Sequence, residues 1–230
     1  MLKTLRDEVF EANLALVEQG LVVLTWGNVS GLDREKGLVV IKPSGVAYAD
    51  LKPSDLVVVD LDGKTVDGKL RPSSDTPTHL ALYREWPEVG GIVHTHSACA
   101  TAFAQAVRGI PPLGTTHADA FHGEVPVTTP LTKEAVDADY EKNTGRAILD
   151  AFQELQPLAI PAALAANHGP FAWGRTATEA VHAAVTLEET AKMALLTLTL
   201  NPDGPPLARH ILDKHHFRKH GPGATYGQKF

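Results

Sequence analysis

The sequence predicts a single α/β domain in which helices cover a sheet. Three observations carry that prediction. The chain has 230 residues, roughly one and a half times the commonest domain size, and no proline- or serine-rich linker divides it. Short runs of β-forming residues occupy its first part, and from residue 72 helical and strand-like segments alternate. The stretch Asp60-Leu61-Asp62-Gly63-Lys64 reads as a hairpin turn, which requires at least some antiparallel pairing.

The elements follow in order. Leu2, Leu5, Val9, Ala12 and Leu16 recur at three- and four-residue intervals, one apolar stripe on a helix that Gly20 stops. Three β-type runs come next, at 21–26, 38–41 and 56–61. Ser74-Asp75-Thr76-Pro77 offers helix caps and a proline in the first turn, and that helix runs to about Trp86. Residues 91–96 form a strand, 97–107 a helix, and 131 to about 155 a further helical region. Two strands, 162–166 and 170–173, flank Asn167-His168-Gly169, and the alanine-rich stretch 176–200 is helical. From about Asn201 the tail is rich in proline and glycine and carries the basic cluster Lys214-His215-His216-Phe217-Arg218-Lys219-His220. Little periodic apolar pattern marks it as a core element, which fits a segment that crosses an interface.

Composition narrows the function. Hydrophobic residues make up 43% and charged residues 21%, the balance of a globular chain. A formal net charge of −6 argues against a nucleic-acid partner, which a basic surplus would mark. No apolar run reaches the roughly 18 residues of a membrane span. The charged start, Met1 to Glu8, lacks a signal-peptide core, so the expectation is a cytoplasmic protein without a membrane partner. Cys99 stands alone, which excludes a disulfide framework and a thiolate cluster. The unusual feature is eleven histidines.

In His94-Thr95-His96 the two imidazoles share one face of a strand. His168 sits in a tight turn between strands, and Asp75 in a turn at a helix start. Three imidazoles and a carboxylate suit zinc or a similar divalent cation. Unrelated histidines at a strand end are the other reading, and sequence alone does not bring the four residues together. Gly27-Asn28, Ser44-Gly45 and Ser73-Ser74 are small polar turns able to cradle a phosphate, with Lys42 adding charge. The same residue types also dominate ordinary turns. There is no P-loop and no dinucleotide fingerprint, so a phosphate here belongs to a small substrate. Asp119 and Tyr226 are candidates for proton transfer, although a lone loop aspartate is more often a helix cap and a terminal tyrosine more often a surface anchor.

Six strings occur in order: Thr25-Trp26-Gly27-Asn28-Val29-Ser30, Ile41-Lys42-Pro43-Ser44-Gly45, Pro72-Ser73-Ser74-Asp75-Thr76-Pro77-Thr78-His79, Ile92-Val93-His94-Thr95-His96-Ser97, Gly114-Thr115-Thr116-His117-Ala118-Asp119 and His168-Gly169-Pro170-Phe171-Ala172-Trp173-Gly174. Together with Arg218-Lys219-His220-Gly221 and Tyr226-Gly227-Gln228, they closely resemble the class II aldolase and adducin-head family, and within it the bacterial L-ribulose-5-phosphate 4-epimerases. The resemblance spans essentially the whole chain.

It implies a three-layer α/β/α subunit with a mixed, largely antiparallel sheet, in a homotetramer with active sites between subunits. It implies zinc, with manganese or cobalt as substitutes, on Asp75, His94, His96 and His168. It places a sugar phosphate among Gly27, Asn28, Lys42, Ser44, Gly45, Ser73 and Ser74. Asp119 and Tyr226 become the acid/base pair, supported by Thr115, Glu141 and His215. The implied reaction interconverts L-ribulose 5-phosphate and D-xylulose 5-phosphate by a retro-aldol step at the carbon 3–carbon 4 bond, with zinc as Lewis acid. Ala166 and the run Ala120-Phe121-His122 depart from the family pattern. A product-releasing sugar-phosphate aldolase is the nearest alternative, although its metal-binding carboxylate is typically a glutamate where this chain has Asp75. A non-catalytic assembly module of adducin type is the other alternative, and it would be expected to lack the metal ligands.

Overall fold

The computed structural model describes residues 2–226, so Gly227 and Gln228 of the last motif lie outside the described residues. Helix α1 (Lys3–Glu18) buries Val9, Ala12 and Leu16, the expected stripe, and the chain leaves it through Gly20 at φ +67°. The strand expected over 21–26 does not form. Leu24 (φ +55°) and Gly27 (φ +95°) are left-handed, which an extended strand excludes, and Val23, Leu24 and Trp26 face solvent. Pairing starts instead at β1 (Asn28–Asp33) and continues with β2 (Leu38–Ile41), β3 (Val57–Asp60) and β4 (Thr65–Asp67). The β3–β4 hairpin closes with the Asp60 amide donating to the Lys64 carbonyl at 2.9 Å.

Helix α2 (Thr76–Glu85) leads to β5 (Gly91–His94), α3 (Ala98–Gln105) and the short α4 (Thr115–Ala118). Then come α5 (Lys133–Ala151), kinked at Asp139, β6 (Ala162–Ala165), β7 (Gly169–Gly174), α6 (Ala177–Leu200) and α7 (Arg209–His220). The strands form one sheet in the order β4-β3-β2-β1-β5-β7-β6, every neighbouring pair antiparallel. A parallel contact occurs as the isolated bridge Val127–Leu164.

Helices α1, α3 and α6 cover one face, and α2 and α5 the other. Neighbouring residues of β1 show why. A side chain at Gly31 would collide with Val9 and Leu5 of α1, whereas Ser30 turns the other way and bonds His79 and Tyr83 of α2. On that second face Trp173 packs between Trp86 and Phe152, with ring centroids 4.7 and 5.1 Å away. This is the expected three-layer α/β/α arrangement. Among the described residues, no helix is long and apolar enough to cross a membrane.

Part of the tail forms a packed element that its apolar spacing did not mark. Residues 209–220 form α7, which packs on α4 and buries Leu212 and His216, four residues apart. A histidine occupies the inward position, so a search for apolar periodicity passes over this helix.

The register positions the functional residues. Asn28 pairs with His94 across β1–β5, and His94 with Phe171 across β5–β7, so three strands meet in one row at their ends. Gly27 precedes that row at φ +95°, and a Cβ there would lie 2.9 Å from the His94 carbonyl oxygen. Gly27→Ala should therefore destabilise the fold by about 1–3 kcal/mol, read as a melting-temperature drop of several degrees. An unchanged melting temperature would show that the left-handed turn is not required.

Candidate active site

At the end of the row, His94, His96 and His168 bring ligand nitrogens within 4.8 Å of one another. Each arrives by a different local route. His94 ends β5, stacked on Phe171 at 4.3 Å between centroids. His96 lies two residues on, its Nε2 3.1 Å from the Nε2 of His94. His168 follows Asn167, whose φ of +61° makes the tight β6–β7 turn. His94 Nδ1 lies 3.0 Å from the Pro170 carbonyl oxygen. A carbonyl only accepts, so Nδ1 carries the proton and Nε2 turns its lone pair into the cluster.

His168 Nδ1 is buried without a protein partner. Burial, with His94 and His96 adding to it, pushes the His168 pKa down to about 4. Burial and then His94 lower that of His96 as well. These are neutral imidazoles at neutral pH, the form that binds metal. Converging lone pairs and an unpartnered buried nitrogen fit a divalent cation.

Asp75 lines the same cavity at the head of α2, but it is not within the tight three-histidine group. Its Oδ2 accepts from Asn28 Nδ2 at 2.7 Å and from the Ser73 hydroxyl at 3.3 Å. Burial opposes its ionisation, yet His94, His79 and the Asn28 amide outweigh that and hold its carboxyl below the usual range. Asn28 thus spends its donors on Asp75 and Ser73, leaving its buried Oδ1 unpartnered.

The cavity, about 360 Å³, also takes in Gly27, Lys42, Ser44, Gly45, Ser73 and Ser74. Two turns are zipped together to make this wall: the Ser73 amide donates to the Lys42 carbonyl and the Ser44 amide to the Arg71 carbonyl, both at 3.0 Å. Lys42 is 1% exposed. Its Nζ donates to the Val46 carbonyl at 2.7 Å and lies 4.7 Å over the Tyr48 ring. Burial lowers its pKa. A buried ammonium beside carbonyls and a ring is a ready seat for an anion.

The remaining sequence candidates do not line this cavity. Asp119, just past α4, accepts from Arg218 Nη2 at 2.8 Å and Nε at 3.1 Å, and His215 Nδ1 is 3.1 Å away. Burial raises its pKa, but Arg218, His215 and Lys219 prevail and lower it. Tyr226 is exposed, with Lys219 Nζ 4.2 Å from its ring centroid. Thr115 opens α4, and its carbonyl accepts from the Asp119 amide. Glu141 sits beyond the α5 kink, where its carbonyl accepts from the Thr78 hydroxyl at 2.6 Å. Ala166 borders a smaller cavity with Tyr140 and Asn167, and Ala120 borders another beside Asp119.

Sequence reasoning did not single out Trp26, Tyr48 or His79. Trp26 lines the cavity, and the Tyr48 hydroxyl donates to the Gly27 carbonyl at 2.9 Å. His79 lies one helical turn beyond Asp75, a spacing that was available as a signal. Its Nδ1 is 2.7 Å from the Ser30 hydroxyl, its Nε2 is buried and unpartnered, and burial drives its pKa to about 3. An unfolded histidine protonates near 6.5, so His79 favours the folded state above that pH and costs stability as pH falls from 6.5 towards 3. In chelator-treated protein, His79 alone should remove about 2 kcal/mol of unfolding free energy between pH 7 and 5. Depressed His168 acts in the same direction. Urea unfolding with the same midpoint at both pH values would refute this.

The match to known proteins agrees with this geometry. Residues 7–195 match the model of the class II aldolase and adducin N-terminal domain. The L-ribulose-5-phosphate 4-epimerase UlaF of Salmonella paratyphi A is 55% identical over 228 residues, 99% of this chain and 100% of that protein. The protein of the same name from Salmonella paratyphi C is 56% identical over the same coverage. Among solved structures, an L-fuculose 1-phosphate aldolase superposes with a TM-score of 0.78 at 28% identity, covering 94% of this chain and 96% of its own. The L-fuculose-1-phosphate aldolase of Thermus thermophilus superposes with a TM-score of 0.67 at 30% identity, covering 88% of this chain and 98% of its own. Joined by its sheet, its histidine cluster and these matches, the chain belongs to the class II aldolase and adducin family.

Proposed function

We propose that this chain is an L-ribulose-5-phosphate 4-epimerase, interconverting that sugar phosphate with D-xylulose 5-phosphate. The observation that carries the reading is one cavity holding both a three-imidazole cluster and the buried Lys42 ammonium, in a chain 55% identical to UlaF along its whole length. Carbon 4 is not adjacent to the ketone, so its hydrogen is not acidic. Inversion there proceeds by opening the carbon 3–carbon 4 bond and closing it on the opposite face.

His94, His96 and His168, with Asp75 as fourth ligand, would hold the metal. Three nitrogens and one oxygen favour zinc, and manganese or cobalt suit the same donors. The bound ion supplies the Lewis acidity for the bond cleavage. Lys42 and the turns of Gly27, Asn28, Ser44, Gly45, Ser73 and Ser74 hold the phosphate, which retains the two-carbon fragment while its carbonyl turns over. Asn28 also fixes the Asp75 carboxylate. Asp119 and Tyr226 exchange the proton at the carbon-4 hydroxyl oxygen, one for each epimer, with Thr115, Glu141 and His215 in support.

In this reading the protein is a cytoplasmic homotetramer whose active sites join neighbouring subunits. The position of Asp119 and Tyr226 at α4 and α7, outside the lining of the metal cavity, supports delivery from a neighbour.

Incubation with L-ribulose 5-phosphate should give D-xylulose 5-phosphate without free glycolaldehyde phosphate. Accumulation of the free aldehyde would favour a sugar-phosphate aldolase instead. Chelation or His96→Ala should remove the metal, about one ion per subunit, and lower the rate at least 100-fold, as loss of a ligand does. Full activity without residual metal would overturn the ligand assignment. Tyr226→Phe should keep its metal yet lose about 100-fold or more in rate. Co-refolding His96→Ala with Tyr226→Phe should restore sites built from one intact half of each. If mass spectrometry finds mixed tetramers and no activity returns, Tyr226 does not act across the interface.

A further inference from the structure

A second set of imidazoles, unused by the proposed reaction, stands where α7 meets the turn after α4. His122, from that turn, stacks on His216 with ring centroids 4.4 Å apart and planes 14° apart. His216 in turn stacks on His220, one helical turn further along α7, at 4.7 Å and 28°. Phe217 closes the ladder edge-on, 4.9 Å from His122. Both ends are tied. His122 Nε2 donates to Asp213 Oδ1 at 2.7 Å, and Arg209 Nε holds the same oxygen at 2.8 Å. His220 Nε2 donates to the backbone carbonyl of Asp119 at 2.9 Å.

The middle rung is the vulnerable one. His216 is 5% exposed and its Nδ1 has no partner. Neutral rings stack without penalty, but a proton on His216 places a cation between two further imidazoles, with a buried N–H and no acceptor. Burial first, then His122 and His220, push its pKa down to about 4, against the weaker pull of the Ala118 carbonyl and Asp213.

The charged surroundings do not relieve this. Asp119 is matched by His215, Arg218 and Lys219. His117 of α4 is engaged with the Gly123 carbonyl at 2.6 Å. On the α6 side, Arg175, Glu179 and His182 border a cavity beside His220. Among the described residues, Asp213 is the carboxylate bonded to a ring of the ladder.

We propose that His122, His216 and His220 are positioning residues, a clamp that docks α7 on α4, holds Asp119 in place at neutral pH and opens in mild acid. The clamp rests on the functional reading above only in treating Asp119 as a proton-transfer group. Undocked, His216 protonates near 6.5. Docking is therefore undisturbed above that pH and weakens as pH falls towards 4. Linkage gives about a ten-fold loss in the docking equilibrium at about pH 5.5.

The test is amide hydrogen exchange of residues 209–220 in the full metal-loaded protein at pH 7.5 and 5.5, corrected for intrinsic exchange rates. We expect opening of α7 to rise about ten-fold in acid. In His216→Phe, which keeps the ring and removes the titrating nitrogens, the rise should vanish, and the acid limb of kcat should move to lower pH with metal content unchanged. Equal opening at both pH values in the wild-type protein, or a rise in His216→Phe as large as in the wild type, overturns the clamp. Should His216→Phe fail to fold, NMR titration of wild-type His216 decides: a midpoint below about 5 supports the clamp, and one near 6.5 refutes it. Wild-type protein inert towards L-ribulose 5-phosphate at every pH would count against the functional reading, while the exchange result would still judge the clamp.

Discussion

The hydrogen bond from His94 Nδ1 to the Pro170 carbonyl, 3.0 Å across the β5–β7 pair, is the constraint on which the rest of the site depends. It fixes the His94 tautomer and so aims Nε2 at His96 and His168. It also ties the end of β5 to the start of β7, immediately after the turn that presents His168. The antiparallel row Asn28–His94–Phe171 carries the same registration into β1, and from Asn28 to Asp75 on α2. A slip of one residue in any of these pairs would turn a cluster histidine or its support to the opposite face of the sheet.

The site is electrostatically divided. Burial holds His96 and His168 neutral and leaves Lys42 as a cation facing polar turns, which suits a substrate with an anionic end and a chelating end. Asp119 lies in the other set, clasped by Arg218, Lys219 and His215. A carboxylate so held remains ionised well below neutrality, which suits the proton-accepting role proposed for it. The chain carries a net charge of −6, yet α7 gathers cations and imidazoles around Asp119.

The sequence by itself determined the type of most elements, though not of β1 or α7, because buried stripes and strand runs impose periods of about 3.6 and 2 residues. Leu38–Ile41, Thr76–Glu85 and Ala177–Leu200 stand where those periods put them. It also marked His94 and His96 as neighbours by reading both on one strand over 91–96, although β5 ends at His94 and His96 reaches the cluster from just past it. What it could not supply was distance. Asp75, His168 and Lys42 meet His94 only through the order in which antiparallel strands are laid side by side, a property of pairing that no local pattern encodes. Two further outcomes belonged to tertiary structure alone. Residues 21–26 have strand composition but follow left-handed turns beside the sheet, and α7 buries a histidine where an apolar residue was sought. At 21–26 the left-handed backbone of Leu24 and Gly27 interrupts the strand and leaves Val23, Leu24 and Trp26 in solvent. In α7 packing on α4 outweighed the local pattern, because the free energy of burial is decided by the neighbours a segment finds and not by the residues it contains.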